Sequence, residues 1–581
     1  MNLLKSSMLC LLTGIGLSVV MIPDARSTWL NDGVAISPNA TNYKPFILSD
    51  GMGGSFIAWY GGTGSDIFAQ RVLANGAIAQ GWPSTGPLTV SAATGLQEQP
   101  VMVSDLAGGV IFFWQDARNG GNYDIFGQHI SSTGGVFGIG AANWAAGGIS
   151  IAGATGNQYV PAAVSDGLGG AIVVWQDGRL GAGNYDIYAQ RVDGDGNRLW
   201  ASAGVPVCVA ANNQISPTII PDGVGGAFIA WQDYRKGSEF DIYAQHISAS
   251  GAVVTGGRWV ANGLGICTAT NSQFYPTLAS DGAGGAYIAW QDFRSGTDNH
   301  IFAQRVTGAG DVAPNWPANG SAVCQAQYSQ YYPVIAGDGS RGAFIAWQDY
   351  RSGTTNHIFA QYLTAGNVEL ADDGVPVSQA GNGQFSPQIA NDGQNGAFVT
   401  WYDSRSGSTN DIYIQRIDNL GRKYSGWDPN GQAVCLATNT QQFPVVTTSS
   451  PGSAILTWQD LRSGGTTTAA IFAGQAVATP TAAVDEISTL EAALAAPRPN
   501  PSRGPTSVQL TLPHSAFVRA DVLDINGRRV ASLASQTLPA GTHALAWDGS
   551  MTGGERASPG VYLVRVTWAG FERTQRIVRL Q

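Results

Sequence analysis

One tryptophan returns eight times along the chain at nearly even spacing: Trp59, Trp114, Trp175, Trp231, Trp290, Trp347, Trp401 and Trp458. Successive gaps lie between 54 and 61 residues. Each Trp sits in the same phrase, seen most fully as Asp281-Gly-Ala-Gly-Gly-Ala-Tyr-Ile-Ala-Trp-Gln-Asp-Phe-Arg-Ser-Gly296. A unit of this size cannot bury its apolar face alone, so the repeats must stack on one another. The repeat also sets how polar residues are weighed, because a side chain present in every unit is one that every unit needs to fold.

The unit from Gln273 to Cys324 divides into four apolar runs. The first, Tyr275 to Asp281, is followed by the turn Gly282-Ala-Gly-Gly285. The second is Ala286 to Gln291, and a polar loop leads to the third, Ile301 to Val306. The last ends in Val323-Cys324. Short runs rich in β-branched and aromatic residues, bounded by Gly and Asp, read as strands. No run of helical length and period precedes residue 480. Four antiparallel strands repeated about an axis make a β-propeller; a linear solenoid is the alternative. The ends of the array favour the ring. Trp29-Leu-Asn-Asp-Gly-Val-Ala-Ile-Ser37 matches the fourth run, as in Trp200 to Cys208, whereas the last unit stops after its third run at Val477. The expectation is an all-β fold with eight blades, Val34 to Ser37 pairing into the blade of Trp458.

These units resemble TolB-type, WD40-like propeller repeats over about residues 29–478. The shared phrase reads Pro217, Asp222-Gly223, Trp231-Gln-Asp-Tyr-Arg235-Lys-Gly237 and Asp241-Ile-Tyr243. The Gly-Gly before the second run and the longer fourth run depart from that pattern. The resemblance implies a fold and a style of binding, not a reaction.

Seven repeats carry Trp-x-Asp-x-Arg, including Asp177/Arg179, Asp233/Arg235, Asp292/Arg294 and Asp349/Arg351. A ring of Arg could grip anions, but such repetition favours a brace that locks the loop between the second and third strands. The Asp opening Asp-Ile-Tyr belongs to the same brace, with His300 and His357 as its variants. A second ring is a binding candidate. Gln recurs three residues before the Pro of the first run, with an aromatic often behind it: Gln158-Tyr159, Gln214, Gln273-Phe274, Gln330-Tyr331 and Gln384-Phe385. Amides beside aromatic rings suit sugars or extended peptides. Asp193-Gly-Asp-Gly-Asn197 spaces oxygens as a calcium loop does, yet it falls where a hairpin turn is expected. Glu98, Glu239 and Glu369 occupy unrelated repeat positions, so no carboxylate pair for glycoside hydrolysis is named. No catalytic residue, metal site or cofactor is assigned, and the chain is expected not to be an enzyme.

The net charge is -10 over 581 residues, with no Lys/Arg run, which argues against nucleic acid. Lys5, the apolar Leu9 to Val20 and Ala25-Arg26-Ser27 read as a secretory signal over residues 1–27; a membrane anchor is the alternative, and no later segment has transmembrane length. Cys208, Cys267, Cys324 and Cys435 all close the same phrase, one repeat-width apart, too far for the ~7 Å Cα limit of a disulfide. They read as small buried residues, as Ser37, Ser91, Ala152 and Ser378 do in other repeats.

After Val477 the composition shifts to a linker, residues 479–496, rich in Ala, Thr and Pro, with a helical turn expected near Ile487 to Leu494. Strand-like alternation follows: Val508 to Leu512, Val518 to Asp524, Gly541 to Gly549, Pro559 to Val566 and Ile577 to Gln581. This is the pattern of a small β-sandwich. Pro499-Asn-Pro501, Asp524-Ile-Asn-Gly-Arg-Arg-Val530, Ala540-Gly-Thr-His543, Trp547-Asp-Gly549 and Ser558-Pro-Gly-Val-Tyr562 resemble the C-terminal sorting domain of type IX secretion substrates and the related FlgD-like Ig domains, over residues 497–581. Arg576 and Arg579 supply the basic residue usual near the last strand. The resemblance implies export through a secretion machinery, then surface attachment or release; FlgD-like domains also occur outside that route. The whole reads as an exported propeller (28–478) acting as a non-catalytic binding or adhesion module for a glycan or peptide. A sialidase-like carbohydrate-active enzyme and a structural surface component are the alternatives.

Overall fold

The computed structural model describes residues 29–37, 41–136, 144–181, 183–368, 370–463, 468–478, 493–495, 497–512, 516–524, 528–538, 541–568 and 571–580. The expected signal, its cleavage point, Glu369 and most of the linker fall outside these residues. Two compact units divide at Pro480/Thr481.

The first unit is built from eight four-stranded antiparallel sheets, numbered here as blades 1–8 in the order of their tryptophans. Blade 5 is typical: Gln273–Ser280, Ala286–Asp292, His300–Val306 and Ser321–Cys324. The second strand is buried along its whole length and the third nearly so, which is why both read as continuous apolar runs rather than alternating ones. The core is a series of layers between successive blades. One layer joins blade 4 to blade 5 through Phe228, Ile242, Ile288 and Trp290; another joins blade 8 to blade 1 through Ile471, Ala473, Ile57 and Trp59. The first strands of neighbouring blades lie against each other around the centre, and that of blade 8 lies against that of blade 1.

Blade 8 takes its fourth strand from the N-terminal side. Val34–Ala35 pairs antiparallel with Ala470–Val477, Val34 opposite Ala473. The glycine ahead of this strand shows how closely the substitution fits. In blade 4, Gly263 has φ +90° and a Cβ there would lie 2.5 Å from the Trp231 ring. Gly33, with φ +81°, faces Trp458 at the same 2.5 Å. A side chain at either position would collide with the indole, so the backbone passes where only glycine fits.

The second unit has a three-stranded sheet (Ala493–Leu494, Thr506–Leu512, Gly541–Trp547) and a four-stranded one (Arg529–Leu538, Ala516–Leu523, Gly560–Trp568, Phe571–Arg579). Leu510, Leu512, Val518, Val522, Trp547, Val564 and Ile577 form one buried cluster between them. Ala493–Leu494 pairs with Leu510 and Thr511, so the end of the segment expected to turn helically is a strand; residues 487–492 lie outside the described residues.

Candidate functional site

The tryptophans anchor a network at one end of each blade. All eight indoles are fully buried. In blades 2–8 the indole Nε1 donates to the Asp two residues on, at 2.7–2.9 Å. The same carboxylate pairs with the Arg two residues further, at 2.5–2.7 Å. That guanidinium lies 3.7–3.9 Å from the centre of a third-strand aromatic ring. It also donates to the carbonyl leading into the fourth strand, such as Asn262 at 2.7 Å. In blade 8 that carbonyl is Asp32, at 2.7 Å. Asp177/Arg179, Asp233/Arg235, Asp292/Arg294 and Asp349/Arg351 therefore spend their charge inside the fold. Blade 1 has Gly61 and Gly62 instead, and the Trp59 Nε1 has no hydrogen-bond partner. A Cβ at Gly61 would lie 2.5 Å from the Thr41 carbonyl oxygen.

The four described cysteines are buried and unbridged. Arg235, Arg294, Arg351 and Arg462 each approach the Sγ that closes the preceding blade, at 3.2–3.4 Å. Burial pushes the Cys208, Cys267 and Cys435 thiols up to about 12, so they stay neutral and unreactive. Asp193 accepts the backbone N–H groups of Asp195 and Asn197, making Asp193–Asn197 a self-satisfied turn.

The Gln residues do not form an open ring. Gln158, Gln214, Gln273, Gln330 and Gln384 are fully buried. Each side-chain amide donates to a carbonyl of its own preceding turn, at 2.8–3.2 Å. Tyr159 packs between Tyr123 and Tyr185, and Phe385 stacks on Tyr402. The reason lies one residue further on. In blades 2–8 the first strand breaks register at its Pro, as between Phe274 and Thr277. The residue ahead of the Pro is left-handed: Gln99, Val160, Ser216, Tyr275, Tyr332, Ser386 and Phe443 all have φ between 50° and 54°. Such a conformation costs of order 1–3 kcal/mol per residue, and persists only where the surroundings hold it. Here the holder is the preceding blade. In blades 3–7 the Gln of its Trp-Gln-Asp accepts the N–H of the left-handed residue, as Gln115 does from Val160 at 3.1 Å and Gln232 from Tyr275 at 3.3 Å.

These positions were missed in the sequence. Lys44, Val160, Ser216, Tyr275, Tyr332 and Ser386, from six blades, line one cavity of about 460 Å³ with the prolines that follow several of them. That volume is in the range of ~300–1,000 Å³ typical of ligand sites. Tyr275 and Tyr332 are 48% and 50% exposed, with ring centres 5.5 Å apart. They lie within a track of rings that begins on the loop of blade 4: Tyr234, Phe240, Phe274, Tyr275, Tyr332 and Tyr331, with successive centres 4.8–6.2 Å apart. Only the backbone position repeats around the centre, while the side chain changes in nearly every blade.

The Asp-Ile-Tyr position joins neighbouring blades. His300 Nδ1 meets Gln330 Oε1 at 3.0 Å, and His357 Nδ1 meets Gln384 Oε1 at 2.9 Å. Where the residue is Asp, the loop supplies a donor: Asn119 to Asp124 at 2.6 Å, Lys236 to Asp241 at 3.0 Å. Blade 3 has Leu180 in that place, and both oxygens of buried Asp186, like Gln214 Oε1, are without partners. Burial, reinforced by Asp177 and partly offset by Arg179, pushes the Asp186 carboxyl up to about 6.

Residues 501–570 match the FlgD Ig-like domain family, so the C-terminal unit is an Ig-like domain of that kind. No curated protein sequence is significantly similar to the chain. Solved structures of similar fold include a polysaccharide lyase of family 25, an ulvan lyase bound to -[GlcA(1-4)Rha3S]-, at TM-score 0.42 and 10% identity over 77% of this chain and 94% of that one. They also include the α-L-arabinanase of Penicillium chrysogenum complexed with arabinobiose, at TM-score 0.30 and 10% identity over 55% and 93%. The α-L-arabinofuranosidase Arb93A of Fusarium graminearum is a third, at TM-score 0.28 and 11% identity over 55% and 93%. The expectation that the chain is not an enzyme is corrected by these neighbours, all three of which are enzymes. At 10–11% identity and TM-scores of 0.28–0.42 they do not transfer a reaction to the chain. The chain thus combines four-stranded propeller blades with a FlgD-type Ig-like domain over residues 501–570.

Proposed function

We propose that the propeller binds an extended carbohydrate chain, laid along the aromatic track of blades 4–6 and ending in the central cavity. The observation that carries this reading is the pair Tyr275 and Tyr332, half-exposed and side by side on strained backbone at the cavity mouth. A sugar ring has an apolar C–H face and a polar edge, and Tyr offers a flat apolar ring with a hydroxyl at its rim. Strained, over-determined backbone clusters where ligands are gripped. Titration calorimetry with a panel of oligosaccharides tests it. Wild-type protein binds, and Tyr275→Ala and Tyr332→Ala lose affinity while melting as wild type does. Binding of extended peptides in place of sugars would replace this reading.

The Ig-like domain supports a companion proposal, that residues 497–581 direct export to the cell surface by type IX secretion. A chain truncated after residue 496 should then accumulate in the periplasm; normal export of that truncation would refute it.

A further inference from the structure

We infer that the carbohydrate is acidic, its carboxylate or sulfate group being read by Lys44. This rests on the carbohydrate reading above and adds the ligand's charge to it. Lys44 is the single charged side chain among the described residues lining the cavity. It stands at the same repeat position as Tyr275 but four blades away in chain order, so one cavity carries aromatic rings and a cation on separate blades.

Lys44 differs from the cations of the repeated network and of the blade 4 loop in having its charge unspent. The seven arginines of the Trp-x-Asp-x-Arg network are each paired with their own Asp. Lys236, on the loop of blade 4, is held by Glu239 and Asp241 at 3.0 Å each. Among the described residues the Lys44 ammonium has no carboxylate partner; it lies 4.8 Å from the centre of the Phe443 ring, exposed to solvent. A cation–π contact at an exposed site is worth about 0.5–1 kcal/mol and leaves the N–H donors free for an anion. In a chain of net charge -10, an unpaired ammonium over an otherwise uncharged cavity favours a ligand that brings the counter-charge. Phe443 in turn sits 6.2 Å from Tyr402, which stacks on Phe385 at 5.4 Å. A second run of rings therefore approaches the cavity on the Lys44 side. An acidic sugar chain could lie across the mouth, one residue on Tyr275 and Tyr332 and its acid group at Lys44.

The test is a set of matched oligosaccharides differing only in charge: galacturonan oligomers against their methyl esters, and sulfated against unsulfated chondroitin oligomers. Full-length protein should bind the acidic member of the preferred pair about threefold to fivefold tighter at low salt, the effect of one exposed ion pair of about 0.6–1 kcal/mol. That preference should shrink at about 0.5 M salt, where exposed charges are screened. Lys44→Met should bind both members equally, near the affinity of wild type for the neutral one, and Lys44→Arg should restore the preference. Tyr332→Ala should weaken both members together. Equal binding of neutral and acidic members by wild type, or an acidic preference that survives Lys44→Met, overturns the role of Lys44 and leaves the carbohydrate reading standing. Binding of no sugar, acidic or neutral, overturns both.

Discussion

The rim network and the cavity mouth occupy the same end of the same blades, and they are built on opposite plans. At the rim, Trp, Asp and Arg recur from Trp114 to Arg462, and the indole and the guanidinium of each unit donate to the shared carboxylate within the fold. At the mouth only the backbone recurs. A left-handed residue precedes each Pro from blade 2 to blade 8, yet its side chain runs through Gln, Val, Ser, Tyr, Tyr, Ser and Phe. Repeated side chains make the frame; varied ones, on backbone that the frame holds under strain, line the central cavity in blades 3–7. The two are coupled in blades 3–7, because the Gln between the preceding blade's Trp and Asp accepts the N–H of the left-handed residue. Changes at the rim should therefore cost stability, and changes at the mouth should cost binding.

The largest stability effect is expected from removing residues 29–37. Blade 8 would lose its fourth strand, Arg462 its Asp32 carbonyl and Trp458 the backbone at Gly33. The melting temperature of the propeller should fall more than for any single substitution; an unchanged value would show that the strand is dispensable. Next comes Asp292→Ala, which leaves the buried Trp290 N–H and the Arg294 guanidinium without their shared acceptor. A loss on the order of 3 kcal/mol is expected in chemical denaturation. A loss below ~1 kcal/mol, the usual range for exposed pairs, would contradict a structural role for the network.

A smaller, pH-dependent effect is expected at Asp186. Its folded pKa, about 6, lies above the ordinary 3.8. The sign follows: its contribution is fully favourable below about pH 4 and is lost as pH rises through about 6, because the folded state must then bury an unpartnered charge. Asp186→Asn should raise the melting temperature at pH 8 and leave it unchanged at pH 4, its amide donating to Gln214 as His300 does to Gln330. Equal stabilisation at both pH values would place the effect elsewhere. Smallest in stability is Tyr332→Ala, expected to stay within about 1 kcal/mol because the side chain is half-exposed, although its effect on binding should be large.

This contrast also explains what could be read from the chain. The blades were legible because the apolar runs around Trp290 are continuous where strands are buried on both faces, and because Asp and Arg recur at fixed distance from each Trp. The mouth was not legible for a physical reason. A left-handed turn usually announces itself through Gly or Asn, but here Val160, Tyr275 and Tyr332 adopt it, held by hydrogen bonds from a neighbouring blade about 40 residues away. In the sequence, Gln273 and Phe274 stand out because Gln recurs three residues before each Pro. In the fold, Gln273 is buried and Tyr275 takes the open position. The unlike residues before the conserved prolines were the available signal, a break in the repeat at a position whose backbone does not break.

The central claim is that ligand binding resides in the variable mouth and not in the repeated rim. It is tested most directly by comparing wild type with the double variant Tyr275→Ala/Tyr332→Ala, measuring melting temperature and oligosaccharide affinity on the same samples. The account predicts matching melting curves and an affinity reduced at least tenfold, about 1.4 kcal/mol. Wild-type affinity in a fully folded double variant would contradict it.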